Sequence, residues 1–385
     1  MLVIFLTVVL DLVGFGLVIP LLTFYAESFS ASPQQVTALM TVYSLAQFVA
    51  APLWGQASDR WGRRPLLLAS ILMTAVMLAA FASATSLWML FLFRGLHGIM
   101  TANIAIAQAC MADLTTMETR ARGMGLIGAG FGIGFTIGPW LGGELAVFGL
   151  AVPIWVAAGL SLLNFILGVL FLPETRVPGA RHTHRPIDPL ALGRALRHPR
   201  VGASIVLTFV FIFAFAAMES TFTLFAEHAH GLRPEQIGRL FGIVGVVGAL
   251  IQGGLIHRLV KRYGEAALLP PAFLTMAVGL TALPLTPLGP PLYAEFALIA
   301  SGQGVVSPAL QSLISRGVSA DEQGEILGSN QSMGALARAA GPLLGGWCFQ
   351  HVSHGATFYV AGALLAVAAA GSVVAGRRAA APRGV

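Results

Sequence analysis

Apolar residues run through this chain in stretches of about twenty, the length a helix needs to cross a bilayer. Short polar segments rich in Gly, Pro and Arg separate them. The pattern predicts twelve membrane-spanning helices, over residues 2–25, 36–56, 66–86, 88–112, 124–146, 153–172, 202–226, 237–256, 267–286, 292–313, 326–349 and 357–375. The stretches are continuous, whereas the strands of a membrane barrel alternate apolar and polar residues. An all-α membrane protein is therefore expected.

Composition leads to the same class. Of 385 residues, 56% are hydrophobic and 10% charged, with a mean hydropathy of +0.81. A soluble domain carries roughly 25% charged residues, so a soluble enzyme, a disordered chain and a disulfide scaffold are all excluded. Cys110 and Cys348 lie apart in apolar segments, with neither a metal-ligand nor a disulfide spacing. The first stretch has no basic leader and runs past Asp11 to Leu22, so it reads as the first span and not as a cleaved signal.

Net charge is +6, with one lysine (Lys261) against 21 arginines. With Arg94 and Arg338 set aside as intramembrane, alternate loops hold 18 Lys or Arg on one side and only Arg233 and Arg239 on the other. That asymmetry puts both termini in the cytoplasm and explains the basicity without a nucleic-acid partner. Trp88, Trp155, Trp347, Tyr25, Tyr293 and Tyr359 fall near outer helix ends, as an aromatic belt would.

The segment 173–200 is the longest polar stretch and reads as a cytoplasmic linker. His182, His184 and His198 within it read as polar linker residues and not as a metal site. The linker separates a six-helix bundle over 1–172 from a second over 201–376, with a cytoplasmic tail at 377–385. The halves repeat each other: GPWLGG at 138–143 returns as GPLLGG at 341–346, and at the same offset Gln108, Glu118 and Gly125 map to Gln311, Asp321 and Gly328. DRWGRR at 59–64 has a weaker echo in KRYGEA at 261–266. Two parallel six-helix repeats are a known transporter plan, with the substrate site expected between them near the midplane.

Several residues carry candidate chemistry. Asp11 is a mid-membrane carboxylate, which is costly when charged and unpaired and is expected to be paired, protonated or wet. Arg94 sits about six residues into span four, cannot shed its charge, and is the natural partner for Asp11, with His97 one turn away. Glu219 is the second proton or substrate candidate. Glu144 and Glu295, nearer the outer rim, are expected to be simply solvated. Glycines crowd span five, where small residues four apart let backbones approach closely. In the loop after span two, Asp59 is a lone acid among arginines. Its counterpart in the second half is Lys261, while Arg63 maps to Glu265 and Asp113 to Arg316, inversions expected to attract across the repeat interface.

The segments LDLVGFGLVIPLL (10–22), GQASDRWGRRP (55–65), RGLHG (94–98), MADLTTMETRARG (111–123) and SPALQSLISR (307–316), together with the span-five glycines, resemble the major facilitator superfamily. Among its twelve-helix drug:proton antiporters the chain is most similar to the tetracycline efflux antiporters, over nearly its whole length. That resemblance implies export of a small amphiphilic compound in exchange for protons across a bacterial inner membrane, by a monomer with no cofactor. It assigns proton coupling to Asp11 and Arg94. It assigns a conformational latch to Gly55, Asp59, Arg60, Gly62, Arg63, Arg64 and Asp113, and an antiporter motif to Gly125, Gly134, Gly138, Pro139, Gly142 and Gly143. The chain departs from the tetracycline antiporters in one respect: its ninth span, 268–286, has no acid. No G-x-x-x-x-G-K phosphate loop is present, so ATP is not the expected energy source. Export of a sugar or metabolite and a non-transporting receptor of the same fold are the alternatives.

Overall fold

In the absence of water, every backbone N–H and C=O in an apolar segment must be paired within that segment, so long apolar stretches become helices. The computed structural model describes residues 1–115, 120–175, 191–319 and 322–380, and among them there are helices and no strands. The helices are α1 (Leu2–Val18), α2 (Leu21–Glu27), α3 (Pro33–Trp61), α4 (Arg63–Ala82), α5 (Leu87–Met100), α6 (Asn103–Asp113), α7 (Arg120–Leu145) and α8 (Val152–Phe171). They continue with α9 (Ala191–Arg197), α10 (Gly202–His230), α11 (Pro234–Leu250), α12 (Ile256–Tyr263), α13 (Glu265–Ala282), α14 (Pro290–Arg316), α15 (Gln323–His351) and α16 (Ala356–Ala380). Among the described residues ten spans are long and apolar enough to cross a membrane, α5 with α6 and α11 with α12 each forming one, and an eleventh is made by α1 with α2. The remaining expected span is α15, which has the length at 29 residues but is interrupted by Ser329, Asn330, Gln331, Ser332 and Arg338.

Three spans are not the uninterrupted helices that the sequence pattern predicts. The first bends by 43° between α1 and α2, at Pro20, which has no N–H to continue the ladder. The fourth opens at Thr101 and Ala102, which have non-helical backbone between α5 and α6. The eighth passes through a π-turn at Ile251–Leu255 before α12. Among the described residues of the linker there is a helix, α9, which seats Ala195 in an apolar cluster with Val201, Ile205, Ile314 and Ile326.

The chain forms two compact units, residues 1–187 with 232–245 and residues 188–231 with 246–385. In the first unit, α7 lies directly on α1. A Cβ on Gly138 would come within 2.7 Å of Gly16 Cα and 2.8 Å of Val13 O, and one on Gly142 would strike Leu17 O. Gly134 is pressed against Leu12 in the same way. In the second unit α15 lies on α10, where a Cβ on Gly341 would meet Phe213 O at 2.6 Å and one on Gly345 would meet Ala217 O at 3.0 Å. The repeated GP-x-x-GG sequence thus performs the same close approach twice. Gly143 turns to another neighbour, with Pro234 O and Glu235 Cα within 3.0 Å of its Cβ position, and Pro139 O lies against Gly238. Gly125 has open space around it, so packing does not account for every glycine of the motif.

Tyr25 departs from the expected aromatic belt. It is buried and its hydroxyl donates to Ala82 O at 3.0 Å, or to Phe81 O at 3.2 Å, whereas Trp88, Trp155, Trp347, Tyr293 and Tyr359 are exposed as expected.

Gly138→Val should destabilise the protein by about 1–3 kcal/mol, because the neighbouring atoms are backbone and cannot yield. Gly125→Ala should be neutral or slightly stabilising, since alanine is the better helix former. Thermal unfolding of both variants in detergent checks the contrast; equal losses would contradict the close approach of α1 and α7.

Candidate functional site

The break in the fourth span is where the chemistry collects. Opening a helix frees backbone carbonyls and amides, and here side chains take them up. Thr101 Oγ1 donates to His97 O at 2.7 Å, Trp54 Nε1 donates to Ile99 O at 2.7 Å, and Ala102 N donates to Ser70 Oγ at 2.8 Å. The first residue after the break is Asn103. Its carboxamide is buried between α1 and α4, with the oxygen accepting from Ser70 Oγ and the Nδ2 group donating both to Thr74 Oγ1 (3.0 Å) and to Asp11 Oδ1. Because the Asn103 oxygen takes the Ser70 hydroxyl, its two amide hydrogens face Thr74 and Asp11. Asp11, half-buried on α1, is therefore held by a neutral amide.

That arrangement corrects the expected pairing. Arg94 makes no ion pair with Asp11 among the described residues. It is buried on α5, its guanidinium carbon lies 4.4 Å from the Tyr43 ring and 5.9 Å from the Phe15 ring, and its Nε has no acceptor. The His97 ring lies against Tyr43 at 5.2 Å. Asn103, Ser70 and Thr74 are site residues that the sequence reading missed. Their one visible signal was a cluster of small polar residues, Thr101 and Asn103, inside a predicted span.

In the second unit, Glu219 is half-buried on α10 and interacts electrostatically with Arg338 of α15. Two acids expected to be merely solvated have partners: Glu144 pairs with Arg239 at 2.8 Å, and Glu295 accepts from Thr286 Oγ1 at 3.1 Å while its other oxygen is buried. His182 and His184 lie outside the described residues, as do Glu118 and Asp321 of the repeat; His198 has its Nε2 3.9 Å from Glu322.

The cluster after α3 is a tight electrostatic knot inside the first unit. Arg63, 7% exposed, binds Asp59 at 2.6 Å and Asp113 at 3.0 Å, and also donates to Ser58 Oγ at 2.7 Å. Gly62 turns the chain with φ +105°, a region that favours glycine. The Glu174 carboxylate accepts from the amides of Arg63 (3.0 Å) and Arg64 (3.2 Å), capping α4. Arg64 also donates to Val169 O at 2.8 Å, Arg60 lies over its neighbour Trp61, and Gly55 is open. The second unit has the inverted version. Gly264 turns with φ +77°, and Glu265, the first residue of α13, pairs with Arg316 at 3.2 Å and accepts from Ser312 Oγ at 2.8 Å. The inverted charges expected to attract across the repeat interface are thus satisfied within their own units: Arg63 with Asp113, and Glu265 with Arg316.

Two helical repeats with matched glycine contacts, matched charged turns and polar groups inside apolar spans define a multi-pass membrane transporter. The family description "Major Facilitator Superfamily" matches residues 4–342 and 258–384, and the chain belongs to that superfamily. It is 34% identical over 345 residues to the class C tetracycline resistance protein of Escherichia coli, covering 88% of this chain and 86% of that one. It is 28% identical over 352 residues to multidrug resistance protein 2 of Bacillus subtilis (strain 168), covering 87% and 85%. Among solved structures it is similar to the human organic anion transporter MFSD10 (TETRAN), with TM-score 0.74, 28% identity, and 96% and 98% of the two chains covered. Its relatives in sequence and fold are transporters and not enzymes.

Removing one partner of a buried ion pair costs about 3–5 kcal/mol, so Arg63→Glu should strongly lower the unfolding temperature in detergent. The triple change Asp59→Lys, Arg63→Glu and Asp113→Arg rebuilds the polarity of the second unit and should recover much of that loss. If the triple variant is no more stable than the single one, opposite-sign pairing around position 63 does not account for the knot's stability.

Proposed function

We propose that this chain exports a small amphiphilic organic compound across a bacterial inner membrane in exchange for protons, with both termini in the cytoplasm. The observation that carries the reading is Asp11, a carboxylate within an apolar bundle, held by Asn103 at the broken point of span four. Ionisable groups at such depth mark proton and substrate pathways, and a half-buried acid with one neutral donor can exist in either protonation state. Asp11 is the proposed proton carrier and Glu219 the second, each with its own surroundings: Asn103 for the first and Arg338 for the second. The loop asymmetry of Lys and Arg supports the orientation. Relatives named for tetracycline and multidrug resistance support export, and the spread of substrates in the relatives' names supports a class of small organic compounds and no single one.

The reading also gives the Asp59–Arg63–Asp113 knot a role as a conformational latch. Such a knot shifts a conformational equilibrium only by as much as its strength differs between the two states. The proposed protein works as a monomer with protons and one small solute as its partners, in a lipid bilayer, and binds neither nucleic acid nor a cofactor.

A screen of drug accumulation in an efflux-deficient bacterium, with and without an uncoupler, supplies the solute. With that solute in proteoliposomes, an imposed pH gradient should drive uphill transport by the wild type. Asp11→Asn, whose amide cannot cycle a proton, should reduce the rate by at least about tenfold with the protein still folded. Asn103→Leu, which leaves Asp11 without its donor, should impair the same gradient-driven rate more than downhill exchange. Uphill transport by Asp11→Asn at the wild-type rate would overturn the reading.

A further inference from the structure

Arg94 is a charge in the first unit's apolar interior whose surroundings leave it incomplete. A guanidinium carries five N–H donors in a fixed plane and stays ionised. Here it is 3% exposed, and among the described residues it has neither a carboxylate nor a hydrogen-bond acceptor. Asp11, the acid that would neutralise it, is committed to Asn103. Among the described residues its compensation is the faces of Tyr43 and Phe15. Cation–π contact offsets only part of what removing such an ion from water costs. The deficit is one of negative charge and of acceptor oxygens in the plane of a fork, which a carboxylate supplies with two parallel bonds.

The walls around this cation specify the rest of a ligand. Phe15 lies 5.8 Å from Tyr43 and 6.3 Å from Phe135, and the His97 ring lies 5.2 Å from that of Tyr43. Phe15, Tyr43 and Phe135 are half-buried, so this aromatic rim is accessible while the charge beneath it is covered. Arg94 comes from α5, Phe15 from α1, Tyr43 from α3 and Phe135 from α7, so four helices converge on the site.

We propose that Arg94 and the rim of Phe15, Tyr43 and Phe135 form a binding site for an aromatic organic anion, the carboxylate on the guanidinium and the ring among the aromatic side chains. The inference deepens the export reading and rests on it for its physiological meaning: the solute would be a weakly acidic amphiphile. Asp11 and Arg94 then have separate tasks, the first holding the proton and the second the solute. Export of an anion is also favoured by an inside-negative membrane potential.

Three probes of one shape and different charge test it by equilibrium binding to the purified protein in nanodiscs: 1-naphthylacetate, 1-naphthylacetamide and 1-naphthylethylammonium. The wild type should bind the anion at least about tenfold more tightly than the amide, the scale of a charge-assisted pair, and the cation least. Arg94→Gln should erase the difference between anion and amide, and Arg94→Lys should keep part of it. The wild-type ranking decides even if the variants fail to fold. Binding of the amide or the cation as tight as that of the anion, no saturable binding of naphthylacetate up to millimolar concentration, or an unchanged preference in a folded Arg94→Gln protein would each overturn the proposal. The same preparations in vesicles separate the two readings. Selective anion binding without proton-driven flux overturns the antiport reading alone, whereas proton-driven flux of neutral or cationic drugs without anion preference overturns only the anion site.

Discussion

An acid inside an apolar helix bundle costs several kcal/mol unless polar groups are brought to it, and the local geometry of the first unit follows from that requirement at Asp11. The group brought to it is a carboxamide from the fourth span. Asn103 reaches Asp11 as the first residue of α6, where that span opens at Thr101 and Ala102. The opening exposes backbone groups, and these recruit Thr101, Trp54 and Ser70 in turn. Ser70 then fixes the orientation of Asn103 by donating to its oxygen. The chain of consequences closes on itself, so a change at any member of the network is felt at Asp11.

A second constraint is close approach. α1 can present Asp11 to Asn103 only if it lies where α7 permits, and the glycines at 134, 138 and 142 bring the α7 backbone against Leu12, Val13, Gly16 and Leu17 of α1. The same spacing at 341 and 345 seats α10 against α15. Glu219 is carried by α10 and Arg338 by α15, so the repeat places an ionisable site on a glycine-packed helix pair in each unit.

Most of the apolar spans, the internal repeat and the positions of the charged turns were legible in the sequence, because each is a periodicity or a composition that the membrane imposes; α15, with its polar residues, is apolar only in part. Asp11 and Arg94 were legible as single residues, since a charge in an apolar run is visible without a structure. Their partners were not. Asn103 and Ser70 are ordinary small polar residues, and only the break at Thr101–Ala102 turns Asn103 toward Asp11. Hydropathy averages over such a break, which is why the fourth span read as continuous. The bend at Pro20 and the linker helix α9 escaped for similar reasons, one lying within an unbroken apolar run and the other within a segment of polar composition.

The two charged turns show why the inverted signs misled a reading by position alone. A cation at the first residue of a helix opposes the helix dipole, and an anion there is favoured by it. In the first unit that position is Arg63, and the surroundings supply the missing negative charge three times over: Asp59 and Asp113 on the guanidinium, and Glu174 on the amides of α4. In the second unit the position is Glu265, which satisfies the dipole by itself and needs only Arg316 and Ser312 on its carboxylate. Glu174 lies against Gly62, where a side chain would collide with it, while Gly264 has open space. A Coulomb attraction is unchanged when both signs are reversed, but the dipole beneath it is not. The first turn therefore needs an extra acid that the second can omit, and exchanging sequence between the two turns without moving Glu174 would leave one of them unsatisfied.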